Sequence, residues 1–357
     1  MKKWLIWVML LCLAILPAVA ETTENAGNEE ITISLIGDCS IGDSGQYVTY
    51  GNSYHTAIKE HGYAWPFSLV KDVLEADDLT VANLEVVLTN QKAHADKMYY
   101  LRADPAHVQI LKEGSIEAVN TVNNHCEDYR GQGYKDTLNT LDEAGIKRFG
   151  CLRPALENGY DDLLAVDVKG IRIGFIGFSY PQNADLKRIG TRIQKLREEE
   201  NCDVVIVSLH WGRETHAQPE SGQMSYAKKI MDMGADVIYG HHAHVTQPIQ
   251  FCNGKPILYN TGNFTFGAMS QVDPSTGIFQ LTYRKTETGT ELTKLQVIPC
   301  RTQSSPDFRP YICTDPAEIT QCFKRLFSTK KYKYFQDLPA SFLETGIVEF
   351  KDGQIVE

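Results

Sequence analysis

From Ile31 onward the chain alternates short apolar runs with stretches of helical period, the pattern of an α/β protein. Ile31 to Ile36 sets β-branched residues at alternate positions and stops at Gly37-Asp38, which predicts a half-covered strand. Phe67 to Ala76 has helical spacing and leads into a strand over Leu79 to Leu84. Pro105 to Glu113 predicts a helix with proline in its first turn, followed by a strand over Ala118 to Val122. Tyr134 to Ala144 is amphipathic, and Gly145 stops it. Ile171 to Phe178 and Val204 to Leu209 are nearly continuous apolar runs, as strands covered on both faces are. Leu186 to Glu200 and Met224 to Met233 predict the helices around the second of them. Asp236 to Gly240 is a further apolar run that opens into His241-His242-Ala243-His244. Beyond Gly262 the pattern turns hairpin-like, with Gly277 to Arg284, a Glu-Thr-Gly-Thr turn, and Leu292 to Ile298.

The two ends behave differently. Residues 1–20 carry Lys2 and Lys3, an apolar core from Trp4 to Leu16, and Ala18-Val19-Ala20 before Glu21, the pattern of a secretory signal peptide. The core is shorter than the roughly 20 residues of a comfortable membrane span. The expected location is extracytoplasmic, secreted or anchored at the cell membrane by an uncleaved signal segment. Residues 21–30 are polar and without period, a flexible spacer. Residues 31–300 then form the main domain, and 301–357 a short C-terminal appendage of one helix and one hairpin. The helix is predicted over Asp315 to Phe327, with Asp315 as N-cap before Pro316. The hairpin joins Ile347 to Phe350 with Ile355-Val356 across Lys351-Asp352-Gly353.

Charge narrows the partners. The formal net charge is −10, and removing Lys2 and Lys3 with no acid leaves 33 basic against 45 acidic residues, a net −12. An acidic exported protein is a poor nucleic-acid binder, so no nucleic acid is expected. Lys324, Arg325, Lys330, Lys331 and Lys333 form a local basic stretch, read as a solvated face or a contact for an anionic polymer. Nine cysteines fall to eight after cleavage, and the spacing of Cys300, Cys313 and Cys322 suggests one bridge among them. Cys39 and Cys126 read as small buried hydrophobes.

The chemistry sits where strands end. Asp38 follows the first strand, Asn83 and Glu85 end another, Asn123, Asn124 and His125 follow a third, His210 ends a fourth, and the histidine cluster ends a fifth. One polar residue after a strand is an ordinary cap. Five in succession, drawn from Asp, Glu, Asn and His, make a mixed oxygen and nitrogen ligand set suited to one or two divalent ions of Mn, Fe or Zn. In an extended segment His242 and His244 would share a face while His241 points away.

The ordered series Gly37-Asp38, Asn83-Leu84-Glu85, Asn123-Asn124-His125 with Asp128, His210-Trp211-Gly212 with Glu214, Gly240-His241-His242-Ala243-His244 and Gly262-Asn263-Phe264 resembles the bacterial capsule synthesis protein CapA family. Those are poly-γ-glutamate biosynthesis proteins, themselves similar to calcineurin-like metallophosphoesterases. The likeness runs from about Ile31 to Phe266. It implies a four-layer αββα sandwich of two mixed sheets, metallophosphatase-like, and export. It also implies a role in making, releasing or anchoring poly-γ-glutamate, with membrane-bound capsule synthase subunits as further partners. On that resemblance Asp38 and His244 bind a first metal, His210 and His242 a second with Asn124, and Glu85 stands for the bridging carboxylate. His125 matches the histidine that protonates a leaving group. Asn83, His241 and Asn263 support the ligands by hydrogen bonds. Asp128 either orients His125 or caps a helix. Glu214 is either a carboxylate serving the site, as a supporting group or general base, or a surface residue. Trp211 packs beside the site. Ser40 stands where the phosphoesterase pattern has a histidine, which leaves the first metal short of a ligand. Three functions fit: a metal-dependent hydrolase or transferase of phosphoester or γ-glutamyl amide bonds, a non-catalytic metal-binding scaffold of the synthase, or a general exported phosphodiesterase or nucleotidase.

Overall fold

The computed structural model describes residues 30–45, 51–152, 159–267 and 273–356. The expected signal segment and all of the spacer except Glu30 lie outside the described residues. Among the described residues no helix is long and apolar enough to cross a membrane.

The period-2 pattern dictates two sheets that share one interior. The first strand, Glu30–Ser40, runs parallel to Leu79–Leu84, which continues through Ala118–Asn120 to Lys147–Phe149. On its other side it pairs antiparallel with Ser275–Thr286, which forms the long hairpin with Gly289–Thr302. The short strand Asn263–Phe266 also pairs parallel with the first strand, and ten strands in all make this sheet. The second sheet has seven strands, centred on the parallel set Ile171–Ser179, Val204–His210, Val237–His241 and Lys255–Leu258.

Ile31, Ile33, Leu35 and Val81 of the first sheet meet Ile173, Phe175, Ile206, Val237 and Tyr239 of the second in one buried core. Each such side chain stabilises the fold by about 1.5–3 kcal/mol relative to exposure. The opposite faces are covered by helices. Ala82, Leu84 and Val119 pack under Tyr54–His61, Val108–Glu113 and Arg130–Ala144. Val205, Val207 and Ile238 pack under Leu186–Glu198 and Ser221–Asp232. The apolar run over Val204 to Leu209 is continuous because even positions face one core and odd positions the other. The layers are therefore helix, sheet, sheet, helix, the αββα sandwich expected.

The predicted elements largely recur, with shifted ends. Gly145 closes its helix at φ +76. The expected helix over Phe67 to Ala76 is instead a 3-10 turn, Trp65–Phe67, and one α-turn, Lys71–Leu74. Val70 at φ −129 separates them, and its side chain packs with Phe67 and Leu74 in the outer core. Burial of those three outweighs continuation of the helix.

Residues beyond 300 join both sheets. The helix Pro316–Arg325 starts where the Asp315 carboxylate accepts the N–H groups of Ala317 and Glu318. Pro310–Ile312 and the hairpin Ile347–Lys351/Gln354–Val356 extend the first sheet, and Gln336–Asp337 extends the second. Phe323, Leu326, Phe342 and Val348 enter the inter-sheet core. In the basic stretch Arg325 pairs with Asp273, and Lys330 donates to the Pro219 carbonyl. All eight described cysteines are free thiols. Within the suspected trio, Cys313 and Cys322 bring their sulfurs to 3.9 Å, and Cys322 also reaches the Cys300 carbonyl at 3.5 Å.

Candidate metal centre

Strand register assembles the site before any ion is considered. Asp38 lies level with Asn83 on one neighbouring strand and with Asn263 on the other. His210 lies level with His241 across the second sheet. The connection from Tyr259 to Gly262 links the two sheets and lies close against both, with Asp38 N–H donating to the Gly262 carbonyl and Thr261 N–H to that of Gly240. A Cβ on Gly37 would fall 2.1 Å from the Gly262 carbonyl oxygen, and one on Gly240 would fall 1.9 Å from that of Tyr259. Glycine at both positions lets Asp38 and the histidine loop reach the same point.

The histidine segment corrects the extended geometry expected of it. His242 and His244 have φ of +92 and +56, left-handed values that curl the chain back on itself. His241, the last residue of strand Val237–His241, shares the inward face of Tyr239 and does not turn away. Its Nδ1 lies 3.0 Å from Asp38 Oδ1, although off the line of a good N–H hydrogen bond, and its ring meets Tyr239 edge-on. The backbone N–H of His242 donates to Asp38 Oδ2 at 3.2 Å.

At the middle is Glu85, fully buried, whose Oε1 has no hydrogen-bond partner among the described residues. It lies 3.9 Å from His125 Nε2, 3.8 Å from His210 Nε2 and 3.9 Å from His244 Nε2. Ligand atoms of Asp38, Glu85 and His210 all lie within 4.8 Å of one another, and so do those of Glu85, His242 and His244. Glu85 is common to both groups. The pairs expected to share an ion are also close: His244 Nδ1 is 3.8 Å from Asp38 Oδ2, and the His210 and His242 ring centres are 4.7 Å apart. Asn124 Oδ1 is 2.8 Å from His210 Nε2. Ser40 is buried, and its hydroxyl has no hydrogen-bond partner among the described residues.

The supporting amides sit behind the carboxylates. Asn83 Nδ2 donates to Asp38 Oδ1 at 2.9 Å and to Glu85 Oε2 at 3.4 Å. Asn263 Oδ1 is 2.9 Å from His244 Nδ1, so that nitrogen carries the proton and Nε2 keeps its lone pair for the centre. Asp128 accepts from His125 Nδ1 at 2.6 Å, from the Leu101 N–H at 2.5 Å and from Lys97 Nζ at 2.6 Å. The N-cap of the helix after it is Tyr129, without a side-chain cap bond, so Asp128 is committed to His125. Glu214 reaches only the rim, 58 % exposed, with Oε1 4.0 Å from His242 Nε2. Trp211 is buried and donates Nε1–H to the Tyr259 carbonyl.

Three neighbours lie outside the motifs. Asn120 holds Asn83 through a 2.9 Å bond, and Lys97 holds Asp128 and the Asn124 carbonyl. The Tyr180 hydroxyl is in close contact with His242 Nε2 and 3.2 Å from Nδ1. Asn120 and Tyr180 end or follow strands and obey the rule that marked the others. Lys97 comes from an irregular stretch and carries no such signal.

Burial and charge shape the protonation states. Burial pushes the Asp38 carboxyl up, but the His241 and His244 imidazoles with the Asn83 amide outweigh it and hold it low. Burial, then the Asp38 charge, push Glu85 well above the ordinary range. Burial and neighbouring imidazoles carry His210 well below its usual value and His242 down to about 4. In His125 burial outweighs the pull of Asp128 and lowers it. Neutral imidazoles beside two buried carboxylates, one with an unpartnered oxygen, form a donor set that a divalent cation would complete.

Residues 32–268 match the family model described as bacterial capsule synthesis protein PGA_cap. The chain is 29% identical over 300 residues to the capsule biosynthesis protein CapA of Bacillus anthracis, covering 77% of this chain and 68% of that one. It is 29% identical over 258 residues to the PGA biosynthesis protein CapA of Bacillus subtilis, with 67% and 64% covered. It thus spans about two thirds of the length of these relatives. Among solved structures it is similar to a phosphatase from Mycoplasma pneumoniae, at 16% identity and a TM-score of 0.48, over 76% of this chain and 94% of that one.

Proposed function

Because the chain belongs to the bacterial capsule synthesis protein family PGA_cap, we propose that it is exported and acts in poly-γ-glutamate capsule biosynthesis as a metal-dependent hydrolase or transferase. The observation that carries the catalytic part is the buried, unpartnered Glu85 Oε1 among the Nε2 atoms of His125, His210 and His244. An isolated buried carboxylate is costly, and three imidazoles at 3.8–3.9 Å are too far to relieve it by hydrogen bonds. A cation held by Asp38, Glu85, Asn124, His210, His242 and His244 relieves it. Such a cation would supply Lewis acidity, bringing the pKa of a water down to about 7.

The rest falls to the chain's own groups. Asp128 accepts the His125 Nδ1 proton and so turns Nε2 toward the centre, where it can deliver a proton to a leaving group. Lys97 and the Leu101 N–H fix Asp128 in that orientation. Asn83 and Asn120 keep Asp38 and Glu85 from rotating away. The substrate is a γ-glutamyl polymer or an envelope phosphoester, and membrane-bound synthase subunits are the partners. A second reading, a metal-binding scaffold of the synthase, is favoured by Ser40, which offers a poor ligand in place of a histidine.

Elemental analysis of protein purified without chelator tests the metal. For catalysis, His125→Ala keeps its metal and loses turnover by about 100-fold or more. Turnover is measured on a γ-linked glutamate oligomer beside an aryl phosphodiester, which separates the bonds. A metal-loaded His125→Ala protein that fully supports capsule formation would leave the scaffold in place of the enzyme.

A further inference from the structure

Beside the metal centre the second sheet carries a cleft of about 560 Å³, with Tyr180, Trp211, Gly212, Gln223, Tyr226 and Lys229 among its walls. The cleft adjoins the centre through Tyr180, one of its walls, whose hydroxyl lies 3.2 Å from His242 Nδ1. Two groups along it are donors of note, Gln223 and Lys229. Gln223 is 6 % exposed and sits at the start of helix Ser221–Asp232, where its Oε1 accepts the Glu220 N–H at 3.0 Å. That bond fixes which end of the amide is oxygen. Gln223 Nε2 is thereby left buried with no acceptor. It lies against Gly212, where a Cβ would come within 2.6 Å of it, so glycine at 212, at φ +88, makes room for the amide.

Two turns along the same helix, the Lys229 ammonium reaches only Asn183 Oδ1, at 3.5 Å, and pairs with no described carboxylate. The one acid in the wall, Glu220, is engaged by the Gln223 backbone N–H in the capping box. Among the described residues lining it, the cleft thus offers a neutral buried donor and a cation that no carboxylate pairs with, within a protein of net charge −10. A γ-linked glutamyl chain carries the complement in every repeat, an amide carbonyl and a free carboxylate.

We propose that this cleft binds the acidic chain of the substrate, with Gln223 Nε2 donating to a backbone amide carbonyl and Lys229 pairing with a carboxylate, and leads it past Tyr180 to the metal centre. The inference rests on the proposed function for its substrate and its direction, and binding is measured apart from turnover. Fluorescence anisotropy of an end-labelled γ-linked glutamate oligomer is titrated with the full-length protein. Lys229→Glu and Gln223→Glu, the second keeping the cap oxygen while losing the donor, each weaken binding about tenfold or more. Lys229→Arg stays close to wild type. Lys112→Glu, exposed on helix Val108–Glu113 against the other sheet, makes the same charge change without effect. Wild-type affinity in both cleft variants overturns the assignment. So does an equal loss in Lys112→Glu, failure of the wild type to bind, or tighter binding of an oligonucleotide of equal length. Turnover of the same oligomer by the wild type is followed in parallel, so binding that depends on the cleft without turnover, or turnover without such binding, tells failure of the catalytic reading from failure of this one.

Discussion

Asp43 lies in the short strand just after the one that carries Asp38, and its carboxyl is buried at the start of helix Tyr54–His61. It accepts the N–H groups of Tyr54 at 2.6 Å and His55 at 2.9 Å, yet burial dominates and pushes it up to about 6. A raised acid binds its proton more tightly folded than unfolded. Stability from this group is therefore present below about pH 4 and falls as pH rises toward 6, by on the order of 2–3 kcal/mol. Asp43→Asn removes that slope, so the urea-derived stability difference between pH 4 and pH 6.5 shrinks by this amount relative to wild type. A variant that keeps the wild-type slope would contradict the assignment. Residues of this kind are silent in the sequence, because an aspartate after Gly42 reads as any loop acid. The centre was more legible, since Asp38, Glu85, His125 and His210 all interrupt apolar runs at strand ends. Lys97 was not, because only the folded chain brings it to Asp128, thirty-one positions away.

At the scale of elements, continuous apolar runs such as Val204 to Leu209 form strands between two cores, and Gly145 ends its helix. The hairpin Ile249–Cys252/Lys255–Leu258 went unmarked although Asn253-Gly254, at φ +52 and +74, is a strong turn signal. Its strands are short, and the histidine cluster just before them draws attention as a loop. The same region yields a prediction. A Cβ at Gly240 would meet only backbone, the Tyr259 and Leu258 carbonyls, so no side chain can move aside. Gly240→Ala must push strand Val237–His241 away from its neighbour, at a cost of about 3 kcal/mol. Because His241, His242 and His244 follow directly, metal retained after dialysis falls with it. A urea midpoint and metal content equal to wild type would show that the two strands do not need that approach.

For the molecule as a whole, the inter-sheet core is finished by the C-terminal segment, whose Phe323, Leu326 and Phe342 pack against strands from both sheets. Phe342 is fully buried, and Phe342→Ala opens a cavity worth about 3–5 kcal/mol, read as a lowered urea midpoint with an unchanged slope. A loss below about 1 kcal/mol would mean that the segment merely rests on the domain. The sequence by itself determined the α/β class, the strand-end positions of the ligands and the acidic balance that obliges any polyanion to be captured locally. These depend on period, residue type and charge, which are properties of neighbours along the chain. Only the tertiary structure decided that His241 turns toward Asp38, that Glu85 Oε1 is left unpartnered among three imidazoles, and that Gln223 and Lys229 share a cleft with Tyr180. Those depend on which strand faces meet across the two sheets and on strand register between distant segments. Both are fixed by packing two sheets together, a constraint no local window of sequence contains.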